Sequence, residues 1–238
     1  DRVISLLPAI HKHAVDMGFD LKRLAIVPNG VVPEDWLMSD SHELPTSLAA
    51  IIAELRGKKH TIVCYAGSHG VPNALDNLLN AADLLKEEPV SFLLVGEGNH
   101  KANLRSTIKQ MNLHNVFMHD GIAKTLMPEL LAKVDIGFVG AKDRAIYAHG
   151  ISPNKVFDYM MAGVPVILAI DAGNDPVSEA QCGFSVRPDD HQALADVVKH
   201  FLCLSDESRI AIGERGRQHV CRSYNYEVLA NKFLEALK

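Results

Sequence analysis

Short apolar runs of strand length alternate with stretches of helical spacing along most of the chain. Thr61-Ile-Val-Cys-Tyr-Ala66, Ser91-Phe-Leu-Leu-Val-Gly96, Asn115-Val-Phe-Met-His119, Asp135-Ile-Gly-Phe-Val139, Pro165-Val-Ile-Leu-Ala-Ile170 and Gly183-Phe-Ser-Val186 are nearly continuous apolar runs. Such runs mark strands covered on both faces. Between them, Asn73–Lys86 puts Leu75, Leu78, Leu79, Ala82 and Leu85 on one helical face, and Ala102–Met111 and Met127–Lys133 read as further helices. At least five such alternations between Thr61 and Val186 predict right-handed βαβ units. The fold class is therefore α/β, a Rossmann-like parallel sheet with helices on both faces.

The flanks are simpler. Residues 1–23 read as a short strand and a helix Ala9–Met17 closed by Gly18, and Leu24–Val27 is a strand ending in the turn Asn29-Gly30. Residues 31–45 are expected to be loop with Trp36 as a packing anchor, followed by a helix Thr46–Arg56. The carboxy end is helical: His191–Leu204, Asp206–Ser223 and Tyr226–Leu237. The chain opens on Asp1 in mid-pattern and reads as the carboxy-terminal portion of a longer protein, divided as 1–23 (end of a preceding domain), 24–222 and 223–238.

One stretch concentrates the candidate chemistry. In Ile151-Ser-Pro-Asn-Lys-Val-Phe-Asp158, Ser152 is a plausible N-cap and Pro153 suits the first helical position. Gly163 is the expected stop before the strand that follows. A helix opening on a crevice offers unpaired N–H groups and a positive dipole end to a phosphate. Lys155 adds a cation in the first turn, and Asp158, one turn on, is placed to accept hydrogen bonds from sugar hydroxyls. A capped surface helix with a solvated Lys–Asp pair fits the same spacing equally well. Gly67-Ser-His-Gly70, between a strand and a helix, has the layout of a phosphate loop and also of a plain tight turn, without a Walker pattern. Lys142 and Arg144 follow another strand and are reserve cations.

Composition narrows the classes. With 47% hydrophobic and 22% charged residues the chain matches globular proteins, and a net charge of −5 without a basic run argues against nucleic acid as a partner. Cys64, Cys182, Cys203 and Cys221 lack C-x-x-C spacing, which fits a reduced, cytoplasmic setting. No H-E-x-x-H or D-x-D pattern points to a metal, and the pair His11 and His13 has no acidic companions.

The central stretch resembles the donor-binding signature of the retaining family 4 glycosyltransferases, which have the GT-B fold. There, two glutamates eight positions apart precede an Ala-x-Gly-x-Pro-Val segment. Asp158 stands at the second glutamate, Gly150 at the first, and Ala162, Gly163, Pro165 and Val166 match the segment. Asn29-Gly30-Val31 and Val95-Gly-Glu-Gly98 resemble two further family turns, whereas the usual arginine and lysine of the glycine loop fall on Ser68 and Ala74. The form with Ser152-Pro-Asn-Lys155 is similar to a branch acting on N-acetylated amino sugars in bacterial surface polysaccharides.

The resemblance implies a nucleotide-sugar donor, with UDP-N-acetylhexosamine as the expected example, and no cofactor or bound metal. Lys155 and Asp158 are the expected catalytic residues. The donor would be held by Gly67, Ser68, Gly121, Ile122, Lys142, Arg144, Gly150, Ile151, Ser152, Pro153, Asn154, Lys155 and Asp158. It also implies an amino-terminal acceptor domain as partner, with peripheral association at the inner membrane face through that domain. A nucleotide-sugar epimerase of the same fold and a non-catalytic nucleotide-sugar-binding domain are the alternatives.

Overall fold

The computed structural model describes residues 2–37 and 43–238. Strands β1 (Val3–Ser5) and β2 (Leu24–Ile26) pair in parallel, flanking helix α1 (His11–Asp16). Helices α2 (Glu34–Leu37) and α3 (Thr46–Gly57) follow. The expected loop 31–45 thus contains a short helix, and its middle lies outside the described residues. Trp36 on α2 packs, partly buried, against the core, as expected of an anchor.

The body of the chain is β3 (Thr61–Ala66), α4 (Leu75–Leu84), β4 (Val90–Val95), α5 (Lys101–Gln110), β5 (Val116–His119), α6 (Met127–Leu131), β6 (Ile136–Gly140), α7 (Asn154–Met161), β7 (Val166–Ala169), α8 (Pro176–Ala180) and β8 (Gly183–Ser185). Three longer helices close it: α9 (His191–Cys203), α10 (Asp206–Ser223) and α11 (Tyr226–Leu237). The six body strands form one parallel sheet in the order β5-β4-β3-β6-β7-β8. Both faces are covered. One core joins α4, α5 and α9 to the sheet through residues such as Leu78, Leu104 and Phe201. The other joins α3, α6, α7 and α8 through residues such as Leu48, Leu131, Phe157 and Val177.

Most predicted elements stand within two residues of their expected ends. Helix α4 starts two residues late because Ala74 takes a left-handed conformation (φ 50°) after a 3₁₀ turn at Val71–Asn73. Helices α10 and α11 begin where expected, since Ser205 Oγ accepts from Ser208 N–H and Asn225 Oδ1 from Glu227 N–H. Helix α7 ends in a Schellman turn: Gly163 (φ 69°) donates to Met160 O and Val164 to Tyr159 O. Against this end α10 lies in backbone contact. A Cβ on Gly213 would collide with Gly163 O.

From β3 the chain steps outward to β5, then returns to β6 and steps the other way, so the switch point lies between β3 and β6. Those two strands share only the pairs Val63↔Ile136 and Cys64↔Gly137, whereas β3 and β4 share six. Beyond Cys64 they part, and Tyr159 of α7 fills the gap. Its hydroxyl accepts from Ala66 N–H at 2.9 Å and donates to Cys64 O at 3.3 Å. Its ring needs a glycine opposite: a Cβ on Gly137 would stand 2.5 Å from Tyr159 Cδ2.

Replacing Tyr159 by Phe leaves the buried Ala66 N–H without its partner. Urea unfolding should show a loss on the order of 1–3 kcal/mol. A loss below about 0.5 kcal/mol, smaller than a typical net hydrogen bond, would show that the hydroxyl does not hold the strands.

Candidate functional site

Carboxy ends of β3 and β6, and the amino end of α7, meet at the switch point. Lys155, four residues before Tyr159, runs its aliphatic stem across Gly67 just beyond β3. A Cβ on Gly67 would lie 2.8 Å from Lys155 Cε, and the φ of 152° at this position favours glycine. The ammonium stands 5.4 Å from the centre of the Tyr65 ring.

The residues before α7 are gripped from two distant segments. Asn174 Oδ1 accepts from Ile151 N–H at 2.6 Å and its Nδ2 donates to Ile151 O at 3.2 Å. Asn29 donates twice to Ser152, from N–H to Oγ at 2.7 Å and from Nδ2 to the carbonyl at 2.6 Å. Ser152 is therefore not the N-cap. Pro153 holds that position, no side chain of the described residues caps the helix, and Asn154 rather than Pro153 is its first residue. The amino end of α7 keeps its positive dipole end without a side-chain acceptor.

Lys155 and Asp158 are both half-buried. Burial pushes the Lys155 ammonium below its ordinary pKa, opposed by Asp158. Burial pushes the Asp158 carboxyl up, opposed by Lys124 and Lys155. Two cavities flank the pair. One of about 340 Å³ is lined by Gly150, Ile151, Ser152, Pro153 and Lys155. Another of about 420 Å³ is lined by Asp158, Lys124, Thr125, Trp36 and Gly30. A third, about 520 Å³, opens at the other end of the sheet beside Thr61 and Pro165 and holds none of these residues. Ligands of open parallel sheets sit at the carboxy ends, which favours the first two.

A glycine loop and a lysine beside a helix amino end at a switch point form a crevice suited to an anion. The model for group 1 glycosyl transferases matches residues 60–203, more than half of the chain. The chain belongs to that family. Two Escherichia coli K12 proteins named for colanic acid biosynthesis, the glycosyl transferase WcaI and the glycosyltransferase WcaL, are each 26% identical to it, over 181 and 166 residues. Those matches take in 74% and 67% of this chain but only 43% and 40% of the relatives, so the chain spans less than half their length.

Structural likeness extends further. A glycosyltransferase from Rickettsia africae ESF-5 superimposes with a TM-score of 0.81 at 16% identity, over 100% of this chain and 64% of that one. Anabaena HepE, in complex with UDP and glucose, gives 0.73 at 17% identity, over 99% and 62%. The fold is that of the GT-B glycosyltransferases.

Within this family frame the structure brings together Gly67, Gly150, Ile151, Ser152, Pro153, Asn154 and Lys155 around one mouth, with Asp158 beside it. Other expected residues go elsewhere. Lys142 and Arg144 line neither flanking cavity, because β6 hands the chain to a loop anchored by Lys142 N–H on Pro72 O and leaves Arg144 exposed. Ser68 is exposed, and its carbonyl accepts from the Tyr65 hydroxyl and Asn73 Nδ2. Gly121 N–H is engaged by Glu97 Oε1 at 3.2 Å, and Ile122 packs on the core. These two loops are fixed by Lys101, whose Nζ reaches Glu97 at 2.8 Å and Asp120 at 2.5 Å. Its hydrogen bonds hold both carboxyls below their ordinary range.

Four residues were not legible as site features. Lys124 faces Asp158 from a 3₁₀ turn at Lys124–Leu126 that no spacing linked to the motif. Asn29 read only as turn chemistry, and Asn174 carried no signal. His69 is fully buried with no partner for either ring nitrogen among the described residues, and burial, with Lys101 nearby, lowers its pKa to about 4, so the imidazole is neutral.

Position 150, where the resembling enzymes carry a carboxylate, has no room for one. Gly150 has φ 98°, and a Cβ would lie 2.9 Å from Ala9 N, Asn174 Oδ1 and Pro8 Cδ. Gly150→Glu should destabilise the fold by about 1–3 kcal/mol; an unchanged urea midpoint would refute the crowding. Lys155 gives a pH signature. Its pKa is lower folded than unfolded, so the unfolded chain holds the extra proton between the folded value and the ordinary 10.5, and stability gains from this residue as pH rises through that interval. The difference in stability between Lys155→Met and the parent chain should therefore change with pH there, and a constant difference would place the ammonium in open water.

Proposed function

We propose that this chain is the donor-binding part of a retaining glycosyltransferase that uses UDP-N-acetylhexosamine in surface polysaccharide synthesis. The observation that carries the reading is Lys155, laid across Gly67 at the uncapped amino end of α7, where the sheet reverses its order. Cation, glycine backbone and helix dipole converge there on one place for an anion. The diphosphate sits at that mouth, against Asn154, Lys155 and the Gly67 loop, and the ribose hydroxyls donate to Asp158 beside Lys124. The complex of Anabaena HepE with UDP and glucose and the colanic acid names of the relatives support this donor class and setting.

Catalysis in this reading is electrostatic. Breaking the glycosidic phosphate bond leaves negative charge on the nucleoside diphosphate, and donors fixed in advance lower the barrier by about 3 kcal/mol each. No bound metal is needed for that role. The acceptor and its base belong to an amino-terminal domain, against which residues 223–238 pack through Phe233, Leu234 and Leu237, all exposed here. That domain also supplies the contact with the inner membrane face. Epimerisation fits less well, because among the described residues no carboxylate lines the cavity beside Lys155.

Lys155→Ala and Asp158→Ala should each weaken UDP and UDP-N-acetylglucosamine binding about tenfold or more, the equivalent of one charge-assisted hydrogen bond, with little change in unfolding midpoint. Calorimetry decides it: affinity unchanged from the parent chain in both variants, or no millimolar binding by the parent chain, sinks the assignment.

A further inference from the structure

We infer that Tyr147 and Asn73 are sugar-binding residues of the cavity beside Lys155. The Tyr147 hydroxyl and the Asn73 amide oxygen hold ring hydroxyls of the donor while its diphosphate stays at the lysine. This deepens the donor reading above and rests on it.

That cavity, of about 340 Å³, has hydrocarbon walls from residues such as Val139, Ile146 and Ile170. Among the described residues its polar side chains are Asn73, Tyr147, Ser152 and Lys155. They come from three separate segments: the turn before α4, the turn after β6 and the stretch leading into α7. A few polar groups converging on an apolar hollow orient a small ligand. A pyranose matches that build. Its C–H faces suit the aliphatic walls, and its hydroxyls each need a partner once buried.

Two of the four side chains are already engaged. Ser152 Oγ accepts from Asn29 N–H, and Lys155, laid across Gly67, takes the phosphate in the donor reading. Tyr147 is half-buried against the core, and its hydroxyl has no hydrogen-bond partner among the described residues. The neighbouring tyrosines differ: Tyr65 donates to Ser68 O, and Tyr159 bonds Ala66 and Cys64. Asn73 Nδ2 donates to Ser68 O at 2.8 Å. A carbonyl can only accept, so this contact fixes the orientation of the amide and leaves Oδ1 open to a donor.

Both residues stand on fixed backbone. Tyr147 O accepts from Gly150 N–H at 2.8 Å and Gly173 N–H at 2.9 Å, and Tyr147 N–H donates to Arg144 O at 3.0 Å. Asn73 ends the 3₁₀ turn Val71–Asn73, which Lys142 N–H pins through Pro72 O at 3.0 Å. The hydroxyl and the amide thus reach the cavity from beyond the two strands that flank the switch point, with little left to order on binding.

The test is calorimetry of the intact chain with UDP, UDP-N-acetylglucosamine and the 3-deoxy, 4-deoxy and 6-deoxy forms of that sugar nucleotide. Tyr147→Phe deletes one oxygen and keeps the ring. It should leave UDP affinity and the urea midpoint unchanged and weaken UDP-N-acetylglucosamine about threefold to tenfold, the range of one neutral hydrogen bond. One deoxy donor should bind parent and variant alike, because its missing hydroxyl is the partner of Tyr147. Asn73→Ala should also weaken the sugar nucleotide relative to UDP, and the UDP arm registers any effect of its lost bond to Ser68. Each residue is judged separately: a sugar nucleotide that binds as in the parent, or a loss shared equally by UDP, overturns that residue's role and leaves the donor site standing. For Tyr147, a lowered midpoint or an equal loss with every deoxy donor overturns it too. If the parent does not bind UDP, both readings fall.

Discussion

A single phenolic hydroxyl sets the geometry on which the rest of this molecule depends. Where β3 and β6 stop pairing, the sheet leaves a donor at Ala66 and an acceptor at Cys64 facing no strand, and Tyr159 answers both. Unpaired groups at that depth are costly, so the arrangement admits one docking of α7 and not a range of them. Four residues back along the same helical face, Lys155 inherits that precision. Gly137 on the strand and Gly213 on α10 complete the seat by giving up their side chains, one to admit the ring and the other to admit the helix end.

The same seat creates an electrostatic tension. Lys155 and Asp158 each lose solvation at the crevice, and each is the other's partial compensation, with Lys124 a second support for the acid. Because neither is bonded directly to the other, both remain available to a ligand that brings phosphate to one and hydroxyls to the other. A fold spends stability in this way where function requires it. The loops around them are stiffened by unrelated means: two asparagine clamps at Ile151 and Ser152, and the Lys101 ion-pair network between the β4 and β5 loops.

Sequence pattern alone carried the alternation of strands and helices, the parallel sheet, and the central stretch with Lys155 and Asp158, because continuous apolar runs and helical spacing are local signals. It failed where a distant residue decides the outcome. Ser152 has the chemistry of an N-cap and stands near the helix start, but Asn29, 123 residues away, takes its hydroxyl. Lys142 and Arg144 lie close to the motif in sequence, and the path of the chain after β6 takes them away from its cavities. Tyr159 looked like one more apolar residue on a helical face. Nothing local in a sequence says that two strands will part opposite its hydroxyl. Pairings between segments far apart in the chain are invisible to periodicity, and most of the site is made of them.

The narrow seam between β3 and β6 has a mechanical consequence. With two pairs there against six between β3 and β4, the sheet is two well-laced halves joined along a thin line. Thermal breathing of a sheet concentrates where its lacing is sparsest. That line runs under the crevice itself, so the floor on which a bound molecule would rest is the junction of the sheet with the fewest strand pairs, held by Tyr159 in place of ladder bonds.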